Sequence, residues 1–169
     1  MSVTAFLGVG SNVDAERHVR TAVRALRERF DAVRLSPVYR ASAVGFDGAD
    51  FINLVAAVET DLGPIPLKHW LNALEDRHGR RRDVAKYSDR TLDVDILLWG
   101  DLVLHGPELV LPRPEIFRFD HVLRPLAELA PGLPCPGRSR GETFAALWAA
   151  HETDGSRLSP LDPAFLDAP

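Results

Sequence analysis

The stretch from Arg90 to Trp99 constrains the fold most, reading Arg-Thr-Leu-Asp-Val-Asp-Ile-Leu-Leu-Trp. It predicts a loop running into a β-strand, since acids and large apolar residues alternate at a period of two. That alternation sends Val94, Ile96 and Leu98 to a core face and puts Asp93 and Asp95 together on the other. Two acids on one face repel unless a cation sits between them, and one or two carboxylates completed by substrate phosphates is the ligation Mg²⁺ prefers. Just upstream, Arg80, Arg81, Arg82, Lys86 and Arg90 form a cationic segment able to hold phosphates. An ordinary edge strand with solvated acids fits the same spacing, so the rest of the chain has to decide.

With 169 residues, 46% of them hydrophobic, the chain is long enough for a single domain with a sizeable core. Net charge is -4 and pI about 5.8, which argues against nucleic acid as a partner; the positive charge is local, in residues 77–90. A lone Cys135, in the turn-like Leu133-Pro134-Cys135-Pro136, excludes an intramolecular disulfide and a multi-cysteine metal site. Met1 to Val9 lacks the basic start and long apolar run of a signal peptide. No apolar run reaches the ~20 residues that span a bilayer, so no membrane partner and a cytoplasmic location are expected.

Val3 to Val9 predicts a central strand, apolar on both faces. It runs into Gly8-Val9-Gly10-Ser11-Asn12, a turn that either cradles phosphate or simply connects strand to helix. A helix over 15–30 follows, with Val19, Ala22, Val23, Leu26 and Phe30 as its stripe. Ala32 to Tyr39 predicts a second strand, with Pro37 marking an edge or a bulge. Phe51 to Thr60 predicts a third, whose Phe51 and Asn53 share a face. An aromatic plane beside an amide suits a flat heterocycle with mixed donor and acceptor edges, although taken alone the pair reads more simply as a core Phe beside a strand-end Asn. Pro64 opens a helix with Leu67, Trp70, Leu71 and Leu74 buried and Gly79 as its stop; Glu75 lies near its last turn. After the Asp93 strand come a hairpin over 102–111, a helix over 120–129 and a short helix over 142–150. The proline- and aspartate-rich end predicts a loosely ordered tail at 152–169 after a single domain at 1–151. The element order predicts an α+β, ferredoxin-like βαββαβ core with an antiparallel sheet and helices on one face, plus an extra hairpin and C-terminal helices.

These elements resemble the 6-hydroxymethyl-7,8-dihydropterin pyrophosphokinase family over about Val3 to Pro136. The resemblance rests on Leu7-Gly-Val-Gly-Ser-Asn12, Val38-Tyr-Arg40 with Gly45, Phe51-Ile-Asn53, Leu74-Glu75 ahead of Gly79-Arg-Arg-Arg82, the Arg90–Leu97 run, Leu111-Pro112, and Pro125 to Pro131. It implies ATP-dependent pyrophosphoryl transfer to a pterin alcohol with release of AMP. Asp93 and Asp95 would hold two Mg²⁺ ions, and Arg80, Arg82 and Arg90 would contact ATP or the transferred phosphates, with Glu75 near the nucleotide. Phe51, Asn53, Ser42 and Val44 would line the pterin pocket. The family's usual residues are replaced at several points. Tyr87 stands in place of a Trp, Lys86 in place of an arginine and Arg113 between two prolines in place of a His. Phe119 stands where a phosphate-contacting arginine is expected, and His121 where an aromatic stacks on the pterin. Arg113 and Arg118 are left to supply charge by another route. The resemblance also implies a monomer whose partners are ATP and a pterin. A relative acting on another planar alcohol, and a non-catalytic ferredoxin-like binding module, are the competing readings.

Overall fold

Val3–Ser11 forms β1, the middle of the molecule, because residues of both its faces find apolar partners: Ala5, Leu7 and Val9 pack into one core and Phe6 into another. The structure is a computed structural model that describes residues 1–80, 83–87 and 89–169. The elements that follow β1 are α1 (Ala15–Arg29), β2 (Val33–Leu35), β3 (Val38–Ala41), β4 (Phe51–Thr60), α2 (Pro64–Arg77) and β5 (Asp93–Trp99). A hairpin of β6 (Leu104–His105) and β7 (Val110–Leu111) leads to α3 (Asp120–Leu129), α4 (Phe144–Ala150) and β8 (Leu158–Leu161).

Among the described residues the main sheet runs β5-β1-β4-β3-β8, with β2 also pairing β4 and every pairing antiparallel. This is the expected ferredoxin-like order. The chain over 33–41 is interrupted as Pro37 predicts. Leu35 pairs with Ala56 and Tyr39 with Asn53, which leaves one residue extra on this strand. Ser36 fills the break by exchanging bonds with Val55: its N–H donates to Val55 O at 2.8 Å, and its hydroxyl accepts from Val55 N–H at 2.8 Å.

The helices of the core unit lie on one face as expected, the stripes of α1 and α2 closing a core with Leu7, Ile52, Leu54 and Ile96, while the additional α3 and α4 close a second core on the other face with Phe6, Val55, Leu97 and Leu98. Two expectations are corrected. The alternation of β5 breaks at Leu97, because Leu7 pairs with Ile96 while Phe6 pairs with Leu98. This bulge turns Leu98 away from the face it would otherwise share with Val94 and Ile96. The tail is also built in. β8 pairs with β3, and Leu166 is buried in the core under α1, where Arg20 Nη1 donates to Phe165 O at 3.3 Å. An open β3 edge would expose a row of unpaired amides, and β8 removes that row.

Candidate active site

At one end of the sheet the register of three strands decides which side chains meet. Gly10 pairs with Asn53 on one side and Asp93 on the other, and Gly8 pairs with Val55 and Asp95. Directly opposed residues share a face. Asn53 and Asp93 therefore stand in one row with a glycine between them, and Val55 and Asp95 in the next. The sequence reads these glycines as a turn, but both lie inside β1. Their missing side chains keep the centre of the rows open, and a cavity of about 260 Å³ lies over them. A Cβ on Gly10 would stand 2.7 Å from Asn53 Oδ1, too close for nonbonded atoms.

Each acid has an arginine beside it. Arg80 Nη1 lies 3.1 Å from Asp93 Oδ1 and 3.4 Å from Glu75 Oε2. Arg113 Nη2 lies 3.5 Å from Asp95 Oδ1, and its Nε 3.1 Å from Glu115 Oε2. Burial, and then the charge of Asp93, push the Asp95 carboxyl up to about 7, partly offset by Arg113 and Arg80. A carboxylate so penalised gains from any cation that reaches it. Arg80 Nε is buried with no hydrogen-bond partner among the described residues. Two oxygen-donor carboxylates on one face, with arginines around them, fit Mg²⁺ that takes its remaining ligands from phosphates and water.

Arg90 is buried, and its guanidinium donates to the carbonyls of Ala85 (3.1 Å), Lys86 and Asp89 (3.3 Å), bracing the loop that precedes β5. Burial and the neighbouring Arg80 lower its affinity for its proton. Asn12, the residue after β1, staples the same loop. Its Oδ1 accepts from Arg90 N–H at 2.7 Å, and its Nδ2 donates to Asp89 Oδ1 at 2.8 Å and Ala49 O at 3.1 Å. The Gly-Ser-Asn segment thus fastens the β5 entry, and Ser11 adds a 2.6 Å bond to Thr91 O.

The opposite wall is apolar and aromatic. Phe51 meets Phe46 edge to face, with centroids 6.3 Å apart, and Tyr87 lies against Gly45 with the Lys86 ammonium 5.4 Å from its ring centroid. Phe119 and His121 stack at 5.4 Å, and burial keeps His121 neutral to lower pH than usual. Ser42, Val44, Phe51, Asn53, Tyr87 and His121 all line the cavity, as do Arg80, Lys86, Arg90, Asp93, Asp95 and Arg113. Glu75 stands behind Arg80. Arg118 is exposed and does not reach the wall. Arg82 lies outside the described residues. Glu115 and Leu97 also line the cavity; Leu97 falls two residues past Asp95 in the strand alternation, and the signal for Glu115 was its nearness to Arg113.

The family model described as 7,8-dihydro-6-hydroxymethylpterin-pyrophosphokinase matches residues 6–131. The chain is 40% identical over 146 residues to the 2-amino-4-hydroxy-6-hydroxymethyldihydropteridine pyrophosphokinase of Pseudomonas aeruginosa, covering 83% of this chain and 90% of that one. It is 32% identical over 154 residues to the Haemophilus influenzae protein of the same name, covering 89% and 96%. Among solved structures, Plasmodium falciparum HPPK-DHPS superposes with a TM-score of 0.59 at 12% identity, over 87% of this chain. The match spans 43% of that longer chain and concerns the fold.

Proposed function

The chain belongs to the 7,8-dihydro-6-hydroxymethylpterin-pyrophosphokinase family, and on that premise we propose how its cavity performs the reaction. It is a diphosphotransferase of folate biosynthesis that moves pyrophosphate from ATP to the hydroxymethyl group of 6-hydroxymethyl-7,8-dihydropterin. The observation that carries the assignment of roles is the row Asn53–Gly10–Asp93, which sets an amide able to read a heterocycle edge next to an acid, with no side chain between.

The pterin lies on the Phe51 and Asn53 side, with Ser42, Val44, Tyr87 and His121 around it. The Asn53 amide pairs with its mixed donor and acceptor edge. The triphosphate lies over Arg80, Arg90, Lys86 and Arg113, and Glu75 fixes the Arg80 guanidinium. Asp93 and Asp95 would hold two Mg²⁺ ions, which when bound neutralise phosphate charge and ease loss of the alcohol proton. The pterin hydroxymethyl oxygen attacks the β-phosphorus in line, the bond to the α–β bridging oxygen breaks, and AMP leaves. What the protein supplies is alignment and fixed positive charge. A single chain holds every group named, so we take the monomer as the working unit.

The test is to incubate the purified protein with ATP, Mg²⁺ and 6-hydroxymethyl-7,8-dihydropterin and to follow AMP and the pterin diphosphate. Both should appear in equal amounts. Asp95→Ala should cut turnover by at least about 100-fold, the scale on which a single electrostatic group acts, while far-UV circular dichroism stays unchanged. Turnover near the wild-type rate in that variant would remove Asp95 from the reaction.

A further inference from the structure

Residues 151–158 lie beyond the family match, and the transfer described above uses none of them. Yet they join the two elements that form the acceptor end of the cavity. Asp120 opens α3, one residue before His121. The N-cap position belongs to Phe119, and Asp120 takes its hydrogen bonds from residues 151–154. Its Oδ1 accepts from His151 Nε2 at 2.9 Å and from Asp154 N–H at 3.1 Å, and its Oδ2 accepts from the Thr153 hydroxyl at 2.6 Å. The Asp120 N–H donates in return to Asp154 Oδ2 at 3.0 Å, and Asp154 Oδ1 accepts from Ser156 N–H at 2.8 Å. His151 is stacked on Trp148, centroid to centroid 5.6 Å.

Three residues after Asp154 the same segment reaches the other wall. Arg157 N–H donates to Ser42 Oγ at 3.2 Å, and Ser42 N–H donates to Arg157 O at 3.2 Å, immediately before β8 starts its ladder on β3. The segment is therefore fastened to Ser42 at one end and to the start of α3 at the other, and both attachments adjoin residues that line the cavity. A buried carboxylate holding three donors has a narrow choice of positions, because each lost bond leaves a desolvated group unpaired.

We propose that residues 151–158 are a positioning strap for the acceptor. The Asp120 clasp and the Ser42–Arg157 pair hold His121 and Ser42 at the separation that the pterin ring requires. Asp120, His151 and Thr153 are positioning residues and touch neither substrate. The inference rests on the reading that His121 and Ser42 line the pterin site.

The experiment measures KM for 6-hydroxymethyl-7,8-dihydropterin and for ATP, together with kcat, in Asp120→Asn, Thr153→Val and Thr153→Ser. Thr153→Val removes one donor at the rim and leaves the carboxylate in place, so it tests the strap even where Asp120→Asn impairs folding. The expected result is a rise of about tenfold in the pterin KM, equivalent to ~1.4 kcal/mol, in the Asn and Val variants. The KM for ATP should stay within about twofold, and Thr153→Ser should restore the wild-type pterin KM. An unchanged pterin KM in Thr153→Val, or equal rises in both KM values, overturns the strap. His121→Ala separates the two ideas. If it too leaves the pterin KM unchanged, the reading of the acceptor wall has failed; if it raises that KM while Thr153→Val does not, the strap alone has failed.

Discussion

Asp95 shows how one residue can cost stability and supply function. Its carboxyl is pushed up to about 7 from the ordinary 3.8, by burial first and by Asp93 second. The folded chain therefore binds this proton more tightly than the unfolded chain does. Protonated, the group costs little; as pH rises through the interval between about 4 and 7 its charge is increasingly penalised, and stability falls with it. Arg113 and Arg80 limit the penalty without removing it. Asp95→Asn should accordingly raise the melting temperature of the metal-free protein at pH 8 by roughly 3–6 °C and change it little at pH 4. Added Mg²⁺ and ATP should stabilise the wild type more than this variant. Thermal melts at the two pH values check it, and an equal shift at both would mean that the carboxyl is unperturbed in the folded state.

At the scale of elements, the site depends on backbone irregularities in two strands. Beside the bulge, Leu97 follows Asp93 and Asp95 onto the cavity face, and its carbonyl accepts the Arg113 N–H at 3.0 Å, which anchors the arginine facing Asp95. In β1, Gly8 and Gly10 hold the floor open. Gly10→Ala should displace Asn53, since the new methyl would lie 2.7 Å from its Oδ1. The expected readout is a pterin KM raised about tenfold or more with the ATP KM changed less, and steady-state kinetics decide it. These devices mark the limit of what the sequence discloses. The helices were legible because their stripes repeat at the helical period, and the two acids of β5 were legible because alternation survives up to Ile96. Leu97-Leu98 was not, since two consecutive leucines satisfy either face. Gly8 and Gly10 look like a turn until a partner strand pairs with them. Asn12 and Asp120 act through bonds to residues at least 37 and 31 positions away, which no local pattern records.

The whole molecule is a sheet with a core on each face, and the last residues of the chain belong to both sides of it. From the Asp120 clasp beside α3, the chain crosses the sheet edge as β8 and ends under α1, where Leu166 is 6% exposed and Arg27 meets Asp167 at 3.3 Å. Proline and aspartate content hid this, because the partners of β8 and of Phe165 are more than a hundred residues away in sequence. An exposed ion pair contributes little, so the burial of Leu166 carries most of the attachment at this end. Leu→Ala in a packed core costs about 2–5 kcal/mol, and each 1 kcal/mol moves the melting temperature of a chain this long by roughly 2–4 °C. Leu166→Ala should therefore lower the melting temperature by about 10 °C in a single transition, seen alike by far-UV circular dichroism and by tryptophan fluorescence. Turnover per folded molecule at 20 °C should be unchanged, because Leu166 lies on the α1 face, away from the cavity. A shift below about 2 °C would mean that the tail is held loosely after all, and two separate transitions would mean that the two cores unfold independently of each other.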